Sequence, residues 1–147
     1  MSRPLLKHGV AIVRIALGAI FLYAGAVKAV DTKAFAGSIE AYRLLPYFGN
    51  YLAASVLPWV EVICGVLLVA GWRARAAATV TVLLNLVFIA AMVSAVARGL
   101  EIDCGCFRQG AKDSPILAIG RDLVFIAMAG LVLWQERRSG KGLPPLQ

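Results

Sequence analysis

Cys104 and Cys106 flank a single glycine in a polar stretch between two apolar segments. Two thiols at i and i+2 are close enough to bridge, and Gly105 lets the backbone bend to bring them together. Such a bridge closes almost no loop, so it adds little stability as a staple. Strained disulfides are instead the reducible, exchange-competent ones. The pair therefore reads as a redox couple, with inert thiols as the plain alternative. Arg98, Arg108 and Lys112 in the same stretch favour a reactive thiolate, and Asp103 beside the pair opposes them. Two thiolates are half of the four ligands a structural zinc needs. The single histidine, His8, is expected at the opposite membrane face, so a metal site would have to be shared with another chain. No metal and no resident cofactor are expected. Cys64, alone in an apolar run, reads as a small packing residue.

Three more residues could do chemistry because of where they sit. Arg14, Lys28 and Glu61 interrupt runs that are otherwise apolar. A carboxylate at mid-bilayer is expensive, so it is paired, hydrogen-bonded or functional. Arg14 and Lys28 are 14 positions apart. That is nearly four turns at 3.6 residues each, so they share a helix face with Gly18, Phe21 and Gly25. Small residues admit a neighbouring helix, which turns this face toward a bundle. Either base could pair with Glu61. Depth argues for caution, since Glu61 is central, both bases lie nearer the ends, and long basic side chains can snorkel outward. The three residues are expected to hold the bundle together or to line a polar pocket. Asn85 and Tyr23 could serve either purpose. Arg121 and Asp122 are expected at the outer interface, pointing about 100° apart and not obliged to pair.

These residues need elements long enough to cross a membrane. The chain has 147 residues, of which 61% are hydrophobic and 16% charged. Its mean hydropathy is +0.80. Disorder and an ordinary soluble globule are excluded on composition. The net charge of +7 would suggest nucleic acid, but the bases are scattered between apolar spans without a patch. A spanning helix takes about 20 apolar residues. Four segments qualify: 10–30, 51–71, 76–97 and 116–134. Phe35, Ile39 and Tyr42 form one stripe of a short helix before Pro46, expected to lie along the interface. Ser114 and Pro115 read as the cap and first residue of the last helix. The expectation is an all-α integral membrane four-helix bundle with a short interfacial helix between helices 1 and 2. It occupies 1–138 as a single domain, with 139–147 a disordered cytoplasmic tail. A cleaved leader is disfavoured because the first apolar run is longer than a usual leader core.

Basic residues in short loops orient the bundle. With the N-terminus inside, seven lie on the cytoplasmic face: Arg3, Lys7, Arg73, Arg75, Arg137, Arg138 and Lys141. Five lie outside: Lys33, Arg43, Arg98, Arg108 and Lys112. Both termini are thus expected in the cytoplasm and the Cys104-Gly105-Cys106 loop in the periplasm, on a bacterial inner membrane.

The run from Arg98 to Phe107, with Cys104-Gly105-Cys106-Phe107 at its end, resembles the loop of the MauE proteins, relatives of the broader DoxX-like family. Arg14, Gly18, Gly25 and Lys28 are similar to the family's first helix. Tyr42-Arg43-Leu44-Leu45-Pro46, then Pro58 and Glu61, resemble its second, and Arg121-Asp122 the start of its fourth. Arg108 stands where the family loop carries glycine. The likeness runs from about Val10 to Leu133. It implies a four-helix membrane bundle that helps to mature, process or transport a periplasmic protein. In methylamine utilisation that client is the disulfide-rich β-subunit of methylamine dehydrogenase, and the partner is a thioredoxin-like protein, MauD.

The leading expectation is therefore an accessory protein of thiol–disulfide exchange. Cys104 and Cys106 would be its working thiols, with a periplasmic thioredoxin-like partner and a secreted client. Passing electrons to quinone is a lesser variant. The alternatives are a transporter for a small solute or protons, which with four spans would need a homodimer, and a non-catalytic membrane scaffold.

Overall fold

The computed structural model describes residues 3–100 and 114–138, all of whose regular structure is helical. Cys104, Cys106 and the tail from Ser139 lie outside the described residues. Helix α1 covers Arg3–Val30, α2 Thr32–Ala41, α3 Tyr47–Ala70, α4 Ala74–Ala97 and α5 Pro115–Arg138. All but α2 are long and apolar enough to cross a membrane. A helix of 24 residues, as α3, α4 and α5 are, rises about 36 Å, against a hydrocarbon core of about 30 Å.

Large apolar side chains cover the outside. Ile12, Trp59, Val87 and Leu117 are each more than 60% exposed. Water-soluble monomers rarely expose so many large apolar side chains, and lipid is the solvent that suits them. Aromatic residues mark both ends of the span, as interfacial belts do. Tyr47, Phe48 and Tyr51 are exposed at the start of α3. At the other end Arg73 lies over the Trp72 ring and Arg138 over Trp134.

The spans are longer than the apolar runs suggest. The first begins at Arg3, because Lys7 and His8 continue the helix beyond the apolar stretch. The second starts directly after Pro46, whose ring fixes the N-cap and whose carbonyl accepts from the Asn50 amide at 3.0 Å. The last begins at Pro115 and runs on through Arg138. The Ser114 carbonyl accepts from the Ala118 amide at 3.2 Å. Asp31 caps α2, its carboxylate accepting from the Ala34 amide at 3.1 Å. Phe35 faces inward, buried beneath α2.

Helices α1, α3, α4 and α5 form a closed ring in which α1 touches α3 and α5, and α4 touches α3 and α5. The α1–α3 pair is the closest. A methyl group on Gly18 would meet the Gly65 carbonyl at 2.8 Å, and one on Gly25 the Pro58 carbonyl at 2.7 Å. One on Gly65 would meet the Leu22 amide nitrogen at 2.6 Å. The two backbones touch because these three positions have no side chain. The same contacts set an antiparallel register, with Gly18 beside Gly65 and Leu68, and Gly25 beside Pro58 and Val62. Leu17, Phe21, Cys64, Leu68, Ala78, Phe125 and Val132 fill the interior. A second cluster of Tyr42, Met92, Ala95 and Ala118 closes the end nearest α2.

Candidate functional site

Lys28 and Glu61 meet inside the bundle. Lys28 Nζ donates to Glu61 Oε1 at 2.6 Å and to Oε2 at 2.8 Å. The two residues are 2% and 3% exposed, so this pair is sealed from solvent. The register explains how a lysine near a helix end reaches a central carboxylate. Extending it from Gly25, which sits between Pro58 and Val62, puts Lys28 about one turn, ~6 Å, short of Glu61 along the bundle axis. Helical side chains lean toward their own N-terminus. On α1 that direction is inward, so the lysine stem spans the turn toward the centre and does not snorkel out. Two rings complete the enclosure. The ammonium lies 5.3 Å from the Phe35 centroid and 5.4 Å from that of Phe88, within cation–π range.

A cavity of about 30 Å³ adjoins the pair. Phe21 and Ala24 of α1, Asn85 and Phe88 of α4, and Arg121, Asp122 and Phe125 of α5 line it beside Lys28 and Glu61. Asn85 spends its amide on the Thr81 carbonyl, one turn earlier, at 2.7 Å. Phe21 and Phe125 pack edge to face at 5.9 Å. Asp122 is 3% exposed, which differs from the outer-interface position expected for it. With α5 starting at Pro115 as expected, Asp122 lies two turns inside and on the face that packs into the bundle. It also meets its neighbour, since Arg121 Nη2 reaches Asp122 Oδ1 at 3.4 Å. Adjacent helical residues diverge, but the arginine is long enough to fold back. Asp122 Oδ2 is buried without a hydrogen-bond partner.

Arg14 is not part of this group. Its guanidinium lies against Gly71, the left-handed residue that ends α3. That is 14 residues, about 21 Å of helix, from Lys28. A cation there faces the negative end of the α3 dipole. Cys64 is packed in the core. The structure thus brings Lys28 and Glu61 together and leaves Arg14 at the far end. Phe35, Asn85 and Asp122 complete the site. Asp122 carried a usable signal, a carboxylate well inside an apolar run. Nothing in the sequence pointed to Phe35 as the roof over Lys28.

At the α2 end, Arg98 donates Nη1 to the Arg43 carbonyl at 3.3 Å and Nη2 to the Tyr42 carbonyl. One side chain thereby ties the end of α4 to the α2–α3 elbow. The described chain stops at Leu100 and resumes at Ser114, so the stretch bearing Cys104 and Cys106 leaves and rejoins the bundle at this end.

Fold and site together define a multi-pass membrane protein: a four-helix bundle around an internal ion pair. Residues 6–135 match the family model of methylamine utilisation protein MauE, and the chain belongs to that family. It is 40% identical over 119 residues to the methylamine utilization protein MauE of Paracoccus denitrificans, covering 79% of this chain and 63% of that one. With the protein of that name from Methylophilus methylotrophus it shares 34% identity over 118 residues, 79% of this chain and 62% of the relative. The chain therefore spans about three fifths of the length of these relatives. No solved structure matches it.

Proposed function

We propose that the protein is an inner-membrane accessory of thiol–disulfide exchange in methylamine utilisation, with Cys104 and Cys106 as the working thiols. Family membership over residues 6–135 carries the methylamine part of this reading. The thiol part rests on the Cys-Gly-Cys spacing and on the end of the bundle from which that stretch departs. Arg98, shortly before that stretch, ties the end of α4 to the carbonyls of Tyr42 and Arg43. In the exchange, the thiolate of one cysteine attacks a disulfide sulfur of the partner and expels a partner thiolate. The second cysteine then attacks the mixed disulfide and releases the partner's other thiolate. Two electrons pass to the partner, and the chain is left with a Cys104–Cys106 disulfide. The reverse sequence oxidises the partner. A periplasmic thioredoxin-like protein of the MauD kind suits this step, and a secreted disulfide-rich client such as the methylamine dehydrogenase β-subunit suits the outcome.

The test is thiol trapping in intact cells with a membrane-impermeant alkylating reagent, before and after mild reduction. Reductant-dependent labelling of both cysteines, with loss of client maturation in the Cys104→Ser/Cys106→Ser variant, is expected. Normal maturation in that variant would remove the thiols from the function.

A further inference from the structure

Lys28 shows what kind of group this interior recognises. A primary alkylammonium is held there by a carboxylate at 2.6 Å and lies over two phenyl rings. The adjoining cavity of about 30 Å³ repeats those elements without an occupant among the described residues. Phe21, Phe88 and Phe125 wall it, and a second carboxylate, Asp122, lines it. Asp122 is 97% buried by its 3% exposure, and its Oδ2 lacks a hydrogen-bond partner. A buried carboxylate oxygen in that condition is costly unless a donor reaches it.

We propose that this cavity binds a small primary alkylammonium ion, its N–H donated to Asp122 Oδ2 and its alkyl group set against Phe21 and Phe125. Size limits the guest. One water takes roughly 10–15 Å³ of such space, so the cavity admits two or three non-hydrogen atoms. Charge sets the strength. Glu61 offsets Lys28 through both its oxygens, so the repulsion a guest meets comes chiefly from Arg121. Arg121 contacts the other oxygen of Asp122 at 3.4 Å, and its side chain is 26% exposed and partly screened. Asp122 therefore keeps one oxygen for the guest. The proposal stands on the bundle interior and does not depend on the thiols.

The test is thermal unfolding of the full chain in nanodiscs, in alkylammonium or potassium chlorides at matched ionic strength. A ligand bound only by the folded state raises the unfolding temperature in a saturable way. Methylammonium and ethylammonium should do so. Tetramethylammonium, which has no N–H and is too large, should match potassium. Saturation-transfer NMR on the methylammonium methyl protons should show direct contact. Asp122→Asn should shift the midpoint concentration at least tenfold. Ala24→Val, which fills the cavity and keeps every charge, should do the same, and it decides the matter if Asp122→Asn does not fold. An unfolding temperature that responds to methylammonium and potassium alike would overturn the proposal and leave the cavity to water. A methylammonium effect that survives Ala24→Val would place binding elsewhere and also overturn it.

Discussion

Replacing Lys28 by Met should destabilise the bundle far more than replacing both members of its ion pair. The two groups are hydrogen-bonded at 2.6 and 2.8 Å and almost fully buried. Removing one partner of such a pair strands a charge and costs about 3–5 kcal/mol, whereas apolar replacement of both is near neutral or stabilising by about 1–4 kcal/mol. Lys28→Met and Glu61→Leu should each fall in the first range. The double variant should return to wild-type stability or exceed it, a coupling of at least about 6 kcal/mol. Lipid sharpens the contrast, since the double variant leaves an apolar interior in an apolar solvent. The assay is reversible unfolding in bicelles, followed by circular dichroism for the four proteins of the cycle. Independent sites add to within about 0.5 kcal/mol. A coupling that small would mean that Lys28 and Glu61 do not share one buried site, and would refute this account of the interior.

The helix contacts make sharper demands elsewhere. Gly65→Ala puts a methyl 2.6 Å from the Leu22 amide nitrogen, so the α1–α3 interface must open. A loss of about 1–3 kcal/mol is expected in the same unfolding assay. Gly71→Ala combines a φ of +73° with a methyl driven into the Arg14 guanidinium. It should cost about 1–2 kcal/mol from the backbone alone, and Arg14→Ala in the same chain should relieve only the contact part. Phe35→Ala removes a buried ring and one of the two faces over Lys28, and a loss of about 3–5 kcal/mol is expected. Arg98→Lys should not replace the arginine, because two carbonyls are held by one planar fork. Faster hydrogen exchange around Tyr42 and Arg43 should reveal the release, and unchanged exchange would show that the tie is idle.

Much of the architecture follows from patterns that a bilayer makes unambiguous. Long, predominantly apolar runs mark the four spans, and Pro46 marks the break that follows α2. The Phe35–Ile39–Tyr42 stripe marks α2, which ends at Ala41 with Tyr42 as its cap. Boundaries were less legible. Polar residues such as Lys7 and Gln135 continue a helix without announcing it, because backbone hydrogen bonding does not stop at the edge of the hydrocarbon. Within the site, glycines on one face of α1 correctly suggested a close neighbour. Which of Arg14 and Lys28 would reach Glu61 could not be read, because the answer lies in the register between α1 and α3. That register is set by three glycines on two helices, and no spacing within either helix encodes it. The start of α5 at Pro115 is legible, but that Asp122, two turns further on, faces the bundle is settled only by how α5 packs.

The inward reach of Lys28 bears on how the chain is made. As α1 leaves the insertion machinery, α3 does not yet exist. Lys28 is two residues from the end of α1 and can extend its amine into the headgroups while it waits. Glu61 sits well inside α3 on a shorter stem and has no such refuge. Only the ten-residue α2 and a short elbow separate the two spans, so the second arrives beside the first. Docking the glycine faces then draws the waiting ammonium inward to the carboxylate. The ion pair thus favours an order of assembly in which α1 and α3 join as a hairpin before α4 and α5 close the ring.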